Sequence, residues 1–167
     1  NRANGGSELP PHTLATEYRY NTLNQIVQQK TPDGGLSKFF YDQLGRLVVS
    51  QNAKQAAVDK YSYTTFDQMG RIVEIGQLES ETGITQAISQ VAAELEGWMT
   101  AAAATREQIT NTAYDEPALS LSSLPSPLYQ KNLRNRVSHT TLTDLAGDLT
   151  YASATYYSYN IHGNIDT

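Results

Sequence analysis

The sequence predicts an all-β protein built as a repetitive antiparallel β-meander with one short helical insertion. Two observations predict the strands: a short turn pattern recurs six times, and the residues around its copies alternate with period two. A third observation, helical periodicity over a single stretch, predicts the insertion. The predicted organisation is a linker at 1–11, β-hairpins at 12–83, a helical insertion at 84–102, and divergent strands at 103–167 with a Pro/Ser-rich loop at 116–130.

The turn pattern reads Asn or Asp, two variable residues, Gly or Asn, any residue, then Ile, Leu or Val. The first side chain can accept a hydrogen bond from the backbone N–H two residues later, and Gly or Asn tolerates the left-handed conformation. The combination predicts a type I turn followed by a bulge, which reverses a strand into a hairpin. The predicted turn residues are Asn21, Asn24, Asp42, Gly45, Arg46, Asp67, Gly70, Arg71, Asn132, Asn135, Asp144, Gly147, Asn160 and Gly163.

Strands rich in Tyr and Thr flank these turns. In the segment 60–66, Tyr61 and Tyr63 fall on one face of a strand, and Ser62 and Thr64 fall on the other. The segment 12–20 alternates in the same way. The predicted strand aromatics are Tyr18, Tyr20, Tyr41, Phe66, Tyr157 and Tyr159. Further turn signals between copies, such as Thr31–Leu36, predict a meander whose turns alternate between its two ends.

The helical insertion is predicted from apolar residues on one helical face. These residues are Ile84, Ile88, Val91, Ala92, Leu95, Trp98 and Met99. The spacing predicts one helix from about Thr85 to Ala102. We expect its Trp98 face to pack onto the sheet; the alternative is a helix that contacts a partner.

Composition excludes several function classes. The chain of 167 residues has a formal net charge of −5, so it lacks the basic surface that nucleic-acid binding needs. It has no Cys, which excludes disulfides, thiolate metal sites and Cys nucleophiles. Its longest small-apolar run, Ala101–Ala104, is far shorter than a membrane span. We therefore predict no nucleic-acid partner, no membrane span and no cofactor.

An enzymatic interpretation has two candidates. Asp42 and Asp67 could form an acid/base pair next to Arg46 and Arg71, but a motif repeated along a meander occupies equivalent places far apart, whereas an active site needs one constellation. Ser138, His139 and Asp144 are close in sequence, but strand alternation predicts opposite faces for Ser138 and His139. His12, His139 and His162 lack the spacing of a metal site. The sequence therefore predicts no enzyme.

The signature Tyr-Asp-x-x-Gly-Arg-Leu, with Tyr-x-Tyr-type strands before it and a spacing of just over 20 residues, resembles the YD repeat of the rearrangement-hotspot (Rhs) and teneurin superfamily. The resemblance covers 12–77 well and 105–167 more loosely. It implies a β-ribbon that spirals into a hollow shell. In polymorphic toxins and insecticidal toxin complexes, such shells enclose a C-terminal toxin; in teneurins they serve cell-surface adhesion. The Asp-Pro-x-Gly signature of the family's self-cleavage site does not occur here.

The expected function is therefore structural: a wall segment of a large secreted or cell-surface Rhs-type protein that encapsulates or presents a toxin. Its expected partners are neighbouring repeats of the same polypeptide and an enclosed toxin cargo. The alternative is a cell-surface recognition or adhesion module whose Tyr rows bind a carbohydrate or a partner protein. We also expect this chain to be an excerpt that further repeats continue on both sides, since open sheet edges tend to pair with other strands.

Overall fold

The computed structural model describes residues 14–118, 129–148 and 150–166. Over these residues the fold is mostly β, as predicted: nine antiparallel strands form one open sheet, accompanied by a few short helices. The strands are β1 (Glu17–Tyr20), β2 (Ile26–Thr31), β3 (Gly35–Tyr41), β4 (Leu47–Gln51), β5 (Lys60–Phe66), β6 (Ile72–Glu79), β7 (Glu107–Tyr114), β8 (Val137–Leu145) and β9 (Ser153–Tyr156). The helices are α1 (Ala53–Ala56), α2 (Gln86–Gln90) and α3 (Ala92–Ala101), and a 3₁₀ turn follows at Ala103–Thr105.

The strand order in the sheet is the order in the sequence. Each of the strands β2 to β8 therefore pairs with the strand before it and the strand after it, whereas β1 and β9 are the outermost strands of the described sheet. Successive connections alternate between two opposite ends of the sheet. The connections β1/β2, β3/β4, β5/β6 and β7/β8, and the turn after β9, lie at one end, which we call the turn edge. The opposite end carries α1, the helical insertion, and the β2/β3 and β8/β9 loops.

The core lies between one face of the central strands and the helical insertion. Phe40, Val49 and Tyr63 are cross-strand neighbours on this face, and Tyr63 and Leu78 are almost fully buried. Trp98 of α3 packs edge-on against Tyr61, with ring centroids 5.3 Å apart. The predicted Trp98 face of the insertion therefore packs on the sheet.

The insertion differs from the single predicted helix because the backbone of Val91 is extended (φ −106°, ψ 110°), which divides it into α2 and α3. Val91 is 46% exposed, so it does not belong to the buried helical face. A β-branched residue favours extended backbone, which suits this break. Ser89, which is buried in α2, donates its hydroxyl to the Tyr41 carbonyl of β3 at 2.9 Å.

Gly76 has a packing role that sequence reasoning did not identify. It lies opposite Tyr63 in the β5/β6 pair, and a Cβ added at Gly76 would lie 2.8 Å from the Tyr63 hydroxyl oxygen. The Tyr63 ring therefore occupies the space that a side chain at position 76 would need. Tyr63 donates its hydroxyl proton to Glu74 at 2.7 Å, and burial raises the pKa of its phenol.

Several predictions fall partly or wholly outside the described residues. The linker at 1–11 and His12 lie outside them, as does the part of the Pro/Ser-rich loop at 119–128. Within the described residues, β1 begins at Glu17, so it is shorter than the strand predicted over 12–20.

Candidate functional site at the turn edge

The predicted turns at 21–25, 42–46, 67–71 and 160–164 have one common geometry. In the second of them, the Asp42 N–H donates to the Arg46 carbonyl at 3.0 Å, and the Gly45 N–H donates back to the Asp42 carbonyl at 3.0 Å. The Asp42 carboxylate accepts the N–H groups of Leu44 at 2.9 Å and Arg46 at 2.8 Å. Each turn is thus closed by its backbone and by the side chain of its first residue.

The fourth position of the pattern has left-handed backbone in all six copies. The φ values are 61° at Asn24, 77° at Gly45, 81° at Gly70, 57° at Asn135, 88° at Gly147 and 88° at Gly163. Gly adopts this conformation without a steric penalty, and Asn tolerates it better than most other residues.

The turn between β7 and β8 is assembled from two distant pieces of sequence. Tyr114 pairs with Val137 in the same relation as Tyr41 pairs with Leu47, each next to a register shift. The Asp115 N–H donates to the Arg136 carbonyl at 3.1 Å, and the Asn135 N–H donates to the Asp115 carboxylate at 2.5 Å. We call this arrangement the split turn, since Tyr114–Asp115 supplies its first half and Asn135–Arg136 its second.

Four predicted residues, two from the turn pattern and two strand aromatics, have other places. Asn132 does not cap its turn: it has a φ of 56°, and its side-chain amide donates to the Tyr159 carbonyl at 2.7 Å, while Asp115 takes the capping position. Asp144 lies inside β8, and the Asp148 carboxylate accepts the Leu145 N–H at 3.0 Å in the turn that follows, at the opposite end of the sheet. Tyr157 and Tyr159, both predicted as strand aromatics, follow β9 instead of lying within a strand, and Tyr159 forms an isolated bridge with Ile165.

Successive turns along the turn edge are linked by a repeated contact of the residue after the Gly or Asn. The guanidinium of Arg46 lies over the Phe66 ring, with 4.4 Å from its central carbon to the ring centroid. Arg71 lies over Tyr114 at 4.2 Å, and Arg136 lies over Tyr159 at 5.1 Å. In the first turn Gln25 stands at this position, and its amide donates to the Gly45 carbonyl at 2.9 Å.

A second repeated contact runs in the opposite direction. The Tyr41 hydroxyl donates to the Ile26 carbonyl at 2.9 Å, the Tyr114 hydroxyl to Ile72 at 2.8 Å, and the Tyr159 hydroxyl to Val137 at 3.0 Å. Each acceptor is the first strand residue after the preceding turn. Phe66 lacks a hydroxyl, so the third turn has the stacked ring alone. We call the two repeated contacts together the turn ladder.

Comparison with known proteins adds no relative that could identify this arrangement. No protein-family model matches the chain, and no curated protein matches it.

Arg71 forms ion pairs with two carboxylates of the turn ladder. Its guanidinium lies 2.7 Å from the Asp67 carboxylate of its own turn and 2.8 Å from the Asp115 carboxylate of the split turn. Burial alone would raise the pKa of Asp67, but hydrogen bonds from the backbone and side chain of Arg71 outweigh it and hold that pKa below its usual value. Arg71 and the Asn135 N–H lower the pKa of Asp115.

These lowered pKa values predict acid sensitivity of the turn edge. A carboxylate whose pKa is lower in the folded chain stabilises the fold fully above its unfolded pKa, and this contribution is lost as pH falls through the folded pKa. The ordinary Asp value is 3.8, so the loss occurs below about pH 4. We expect the melting temperature of the wild type to fall more steeply than that of Asp115→Asn between pH 5 and pH 2.5. Asn keeps an acceptor oxygen, as Asn21 and Asn160 show, so the turn of the variant can still close. Parallel pH profiles of the wild type and Asp115→Asn would contradict the prediction.

Arg71→Gln tests the stacking contact of the ladder. Gln lacks the planar cation, so the variant loses the stack on Tyr114 and both ion pairs, although Gln25 shows that the turn itself accepts this residue. We expect a lower melting temperature at pH 7. Arg134→Gln, at an exposed position of the same end of the sheet, is the matched control, and an equal decrease in both variants would contradict the assignment.

The proposed acid/base pair does not converge on one centre. The carboxylates of Asp42 and Asp67 belong to separate turns, and each is held by the Arg of its own turn at 2.7 Å. Both are therefore engaged in closing turns. Among the residues that the structure describes, no three His, Asp or Glu side chains are grouped to hold a metal ion.

Ser138 and His139 are closer than strand alternation predicted. The Ser138 hydroxyl lies 3.1 Å from His139 Nδ1, because the register shift opposite Ala113 and Tyr114 leaves Ser138 without a paired residue and turns its side chain. Ser138 is completely buried, and the His139 ring stacks on Tyr156 with centroids 5.7 Å apart. Burial lowers the pKa of His139. Asp144 lies about 17 Å further along β8 at about 3.3 Å per residue, so the three residues do not form a triad.

An open cleft of about 490 Å³ lies between the sheet and the helical insertion and reaches the turn at 42–46. Phe66, Leu95 and Met99 form much of its apolar lining, and Thr65 and the exposed Glu96 add polar groups. Its size falls within the range of small-molecule sites.

Within the described ranges, no helix is both long enough and apolar enough to span a membrane.

Proposed function

We propose that this chain is a structural YD-repeat segment of a large secreted or cell-surface Rhs-type protein, and that its β-sheet forms part of a shell that encloses or presents a C-terminal toxin. The observation that carries the proposal is the turn ladder. Five turns lie at one edge of a meander, four with one common geometry and one split, and each of the first four contacts the next through an arginine or glutamine side chain, a tyrosine hydroxyl, or both.

The ladder supports a structural role because of where its polar groups are directed. The Asp carboxylates close turns, the guanidinium groups cover rings, and the Tyr hydroxyls bond to backbone carbonyls of the neighbouring strand pair. The residues that a catalytic interpretation would use are therefore occupied in holding successive hairpins together. Such a unit suits a wall, since every added hairpin makes the same contacts with its neighbour.

In this role the mechanism is containment. The sheet is open, and one of its faces is covered over the central strands by the helical insertion, whose Trp98 lies in the core. A wall of this kind would separate a cargo domain from solvent. No residue of the wall would turn over a substrate.

The test uses the parent protein. We expect its coding sequence to carry further copies of the turn pattern on both sides of this segment and an unrelated domain at the C-terminal end. In limited proteolysis, that domain should resist digestion in the intact parent and be digested rapidly when expressed alone. Equal digestion rates would overturn the proposal.

A second candidate function is recognition of a carbohydrate or a partner protein at the cell surface. Two features favour it: the rings of Tyr18 and Tyr20 are about half exposed on β1, and the cleft combines Phe66 with polar groups. Saturable binding to a glycan on an array, lost in Tyr18→Ala or Glu96→Ala, would support this function. The absence of binding across a broad panel would contradict the carbohydrate form of it.

A further inference from the structure

Tyr20 is the aromatic residue that precedes the first turn, and its environment differs from that of its counterparts. Its side chain is 54% exposed. The equivalent residues before the later turns, Tyr41, Phe66, Tyr114 and Tyr159, are all partly buried. The difference is not one of local conformation, since Tyr20 pairs with Ile26 next to a register shift in the same way as Tyr41 pairs with Leu47.

The preceding turn accounts for the burial of the counterparts. It supplies a guanidinium over the ring of Phe66, Tyr114 and Tyr159, and a backbone carbonyl that accepts the hydroxyl of Tyr41, Tyr114 and Tyr159. Within the described residues Tyr20 has neither contact. Its hydroxyl has no hydrogen-bond partner there, and the one aromatic ring beside its own is that of Tyr18, with ring centroids 6.3 Å apart. Tyr20 thus has the ring and hydroxyl that a ladder contact uses, but no described guanidinium or backbone carbonyl lies against them.

Within the described residues, the backbone of β1 also has no paired strand on its outer side. β1 is the outermost strand at its side of the sheet, and its described pairing is with β2 alone. A strand edge with unpaired N–H and C=O groups can accept a further antiparallel strand. The strand edge and the exposed ring both belong to β1, so one partner could pair with the edge and cover the ring.

We propose that the β1 edge is a docking site for a β-hairpin whose turn carries the sequence Asp-x-x-Gly-Arg. The second strand of that hairpin pairs antiparallel with β1, its Arg stacks on the Tyr20 ring, and the carbonyl of the residue after the Arg accepts the Tyr20 hydroxyl. This inference rests on the proposed structural function and names the partner of one edge of the wall.

The need for an arginine makes the site selective for the partner. The turn at the other side of this sheet does not meet that need. At the opposite side of the sheet, the turn at 160–164 carries Asn164 where the other turns have Gln or Arg. Turns of the ladder are two strands apart, which is about 9.5 Å, and the short Asn side chain cannot cover a ring at that distance. A second copy of this chain presenting that turn therefore lacks the group that Tyr20 receives, and an arginine-bearing hairpin is the better partner.

The test is a titration of the 167-residue chain against a labelled peptide with the sequence of residues 36–51, which contains such a turn. We expect saturable binding by fluorescence anisotropy. We also expect slower amide exchange at Glu17–Tyr20 in the presence of the peptide. The matched peptide with Asn at the position of Arg46 should bind about tenfold more weakly, which corresponds to about 1.4 kcal/mol.

Variants of the chain locate the site. Tyr20→Ala should weaken peptide binding about tenfold, whereas Tyr20→Phe should weaken it only a few-fold, since Phe66 shows that a ring without a hydroxyl still accepts the guanidinium. Tyr151→Ala removes another exposed tyrosine and should leave binding unchanged. Circular dichroism spectra that match the wild type show that each variant is folded.

Three outcomes would overturn the proposal: no saturable binding, equal affinities for the Arg and Asn peptides, or equal affinities of the wild type and Tyr20→Ala. A failed titration leaves the proteolysis test of the parent protein unaffected. The failure of the docking site and the failure of the containment function are therefore separable results.

Discussion

Trp98→Ala is expected to lower the free energy of unfolding by about 3–5 kcal/mol, the usual cost of truncating a buried aromatic side chain to alanine. Trp98 is 7% exposed, packs edge-on against Tyr61, and donates its indole N–H to the Thr82 carbonyl at 2.8 Å. The substitution removes the packing and leaves this carbonyl without its partner. The effect should appear in urea unfolding followed by circular dichroism, since the chain has one Trp and fluorescence would be lost.

Val91→Ala is the matched control for this prediction. It also shortens an apolar side chain in the helical insertion, but Val91 is 46% exposed and lies at the break between α2 and α3. We expect a change below about 1 kcal/mol, as for most surface substitutions. Similar losses of stability in the two variants would contradict the assigned packing of Trp98 on the sheet.

Gly45→Val is expected to destabilise the chain by about 2–3 kcal/mol. Left-handed backbone costs a residue with a side chain about 1–2 kcal/mol, and a β-branched side chain fits it poorly. Gly45 has φ of 77°, and an added Cβ would lie 3.1 Å from the Gln25 amide nitrogen, which donates to the Gly45 carbonyl. The substitution therefore strains one turn and disturbs its contact with the preceding turn. Thermal and urea unfolding both measure the loss.

Gln43→Val introduces the same side chain two residues earlier in the same turn. Position 43 is exposed, and the left-handed conformation is confined to position 45. We expect a small change in melting temperature for this control. Equal melting temperatures of the two variants would refute the assigned turn geometry.

The local part of the fold could be predicted from the sequence because its causes lie within a few residues. A turn from Asp42 to Arg46 is closed by hydrogen bonds among those five residues, and its Gly has the backbone freedom that the turn requires. The alternation of Tyr61 and Tyr63 with polar residues likewise fixes which face of β5 is buried. Short-range rules therefore predicted the strands, most of the turns and the all-β class.

The errors arose where distant residues compete with local ones. The pattern at 132–136 contains its own Asn in the capping position, but Asp115 takes that role because the β7/β8 pairing brings Tyr114 opposite Val137. The pairing also creates the register shift that turns Ser138 toward His139. One further error has a local cause: in the helical insertion, continuous periodicity predicted one helix, but the extended backbone of the β-branched Val91 interrupts it.

The sequence by itself determined the turn chemistry of this protein, since Asp or Asn at the first position and Gly or Asn at the fourth act within a single turn. Tertiary structure decided what the turns do to each other. The stacking of Arg71 on Tyr114 and the bond from the Tyr114 hydroxyl to Ile72 join residues more than 40 positions apart. Such contacts depend on the order of strands in the sheet, which sets the neighbours of each turn and, among the described residues, leaves Tyr20 half exposed on the outermost strand.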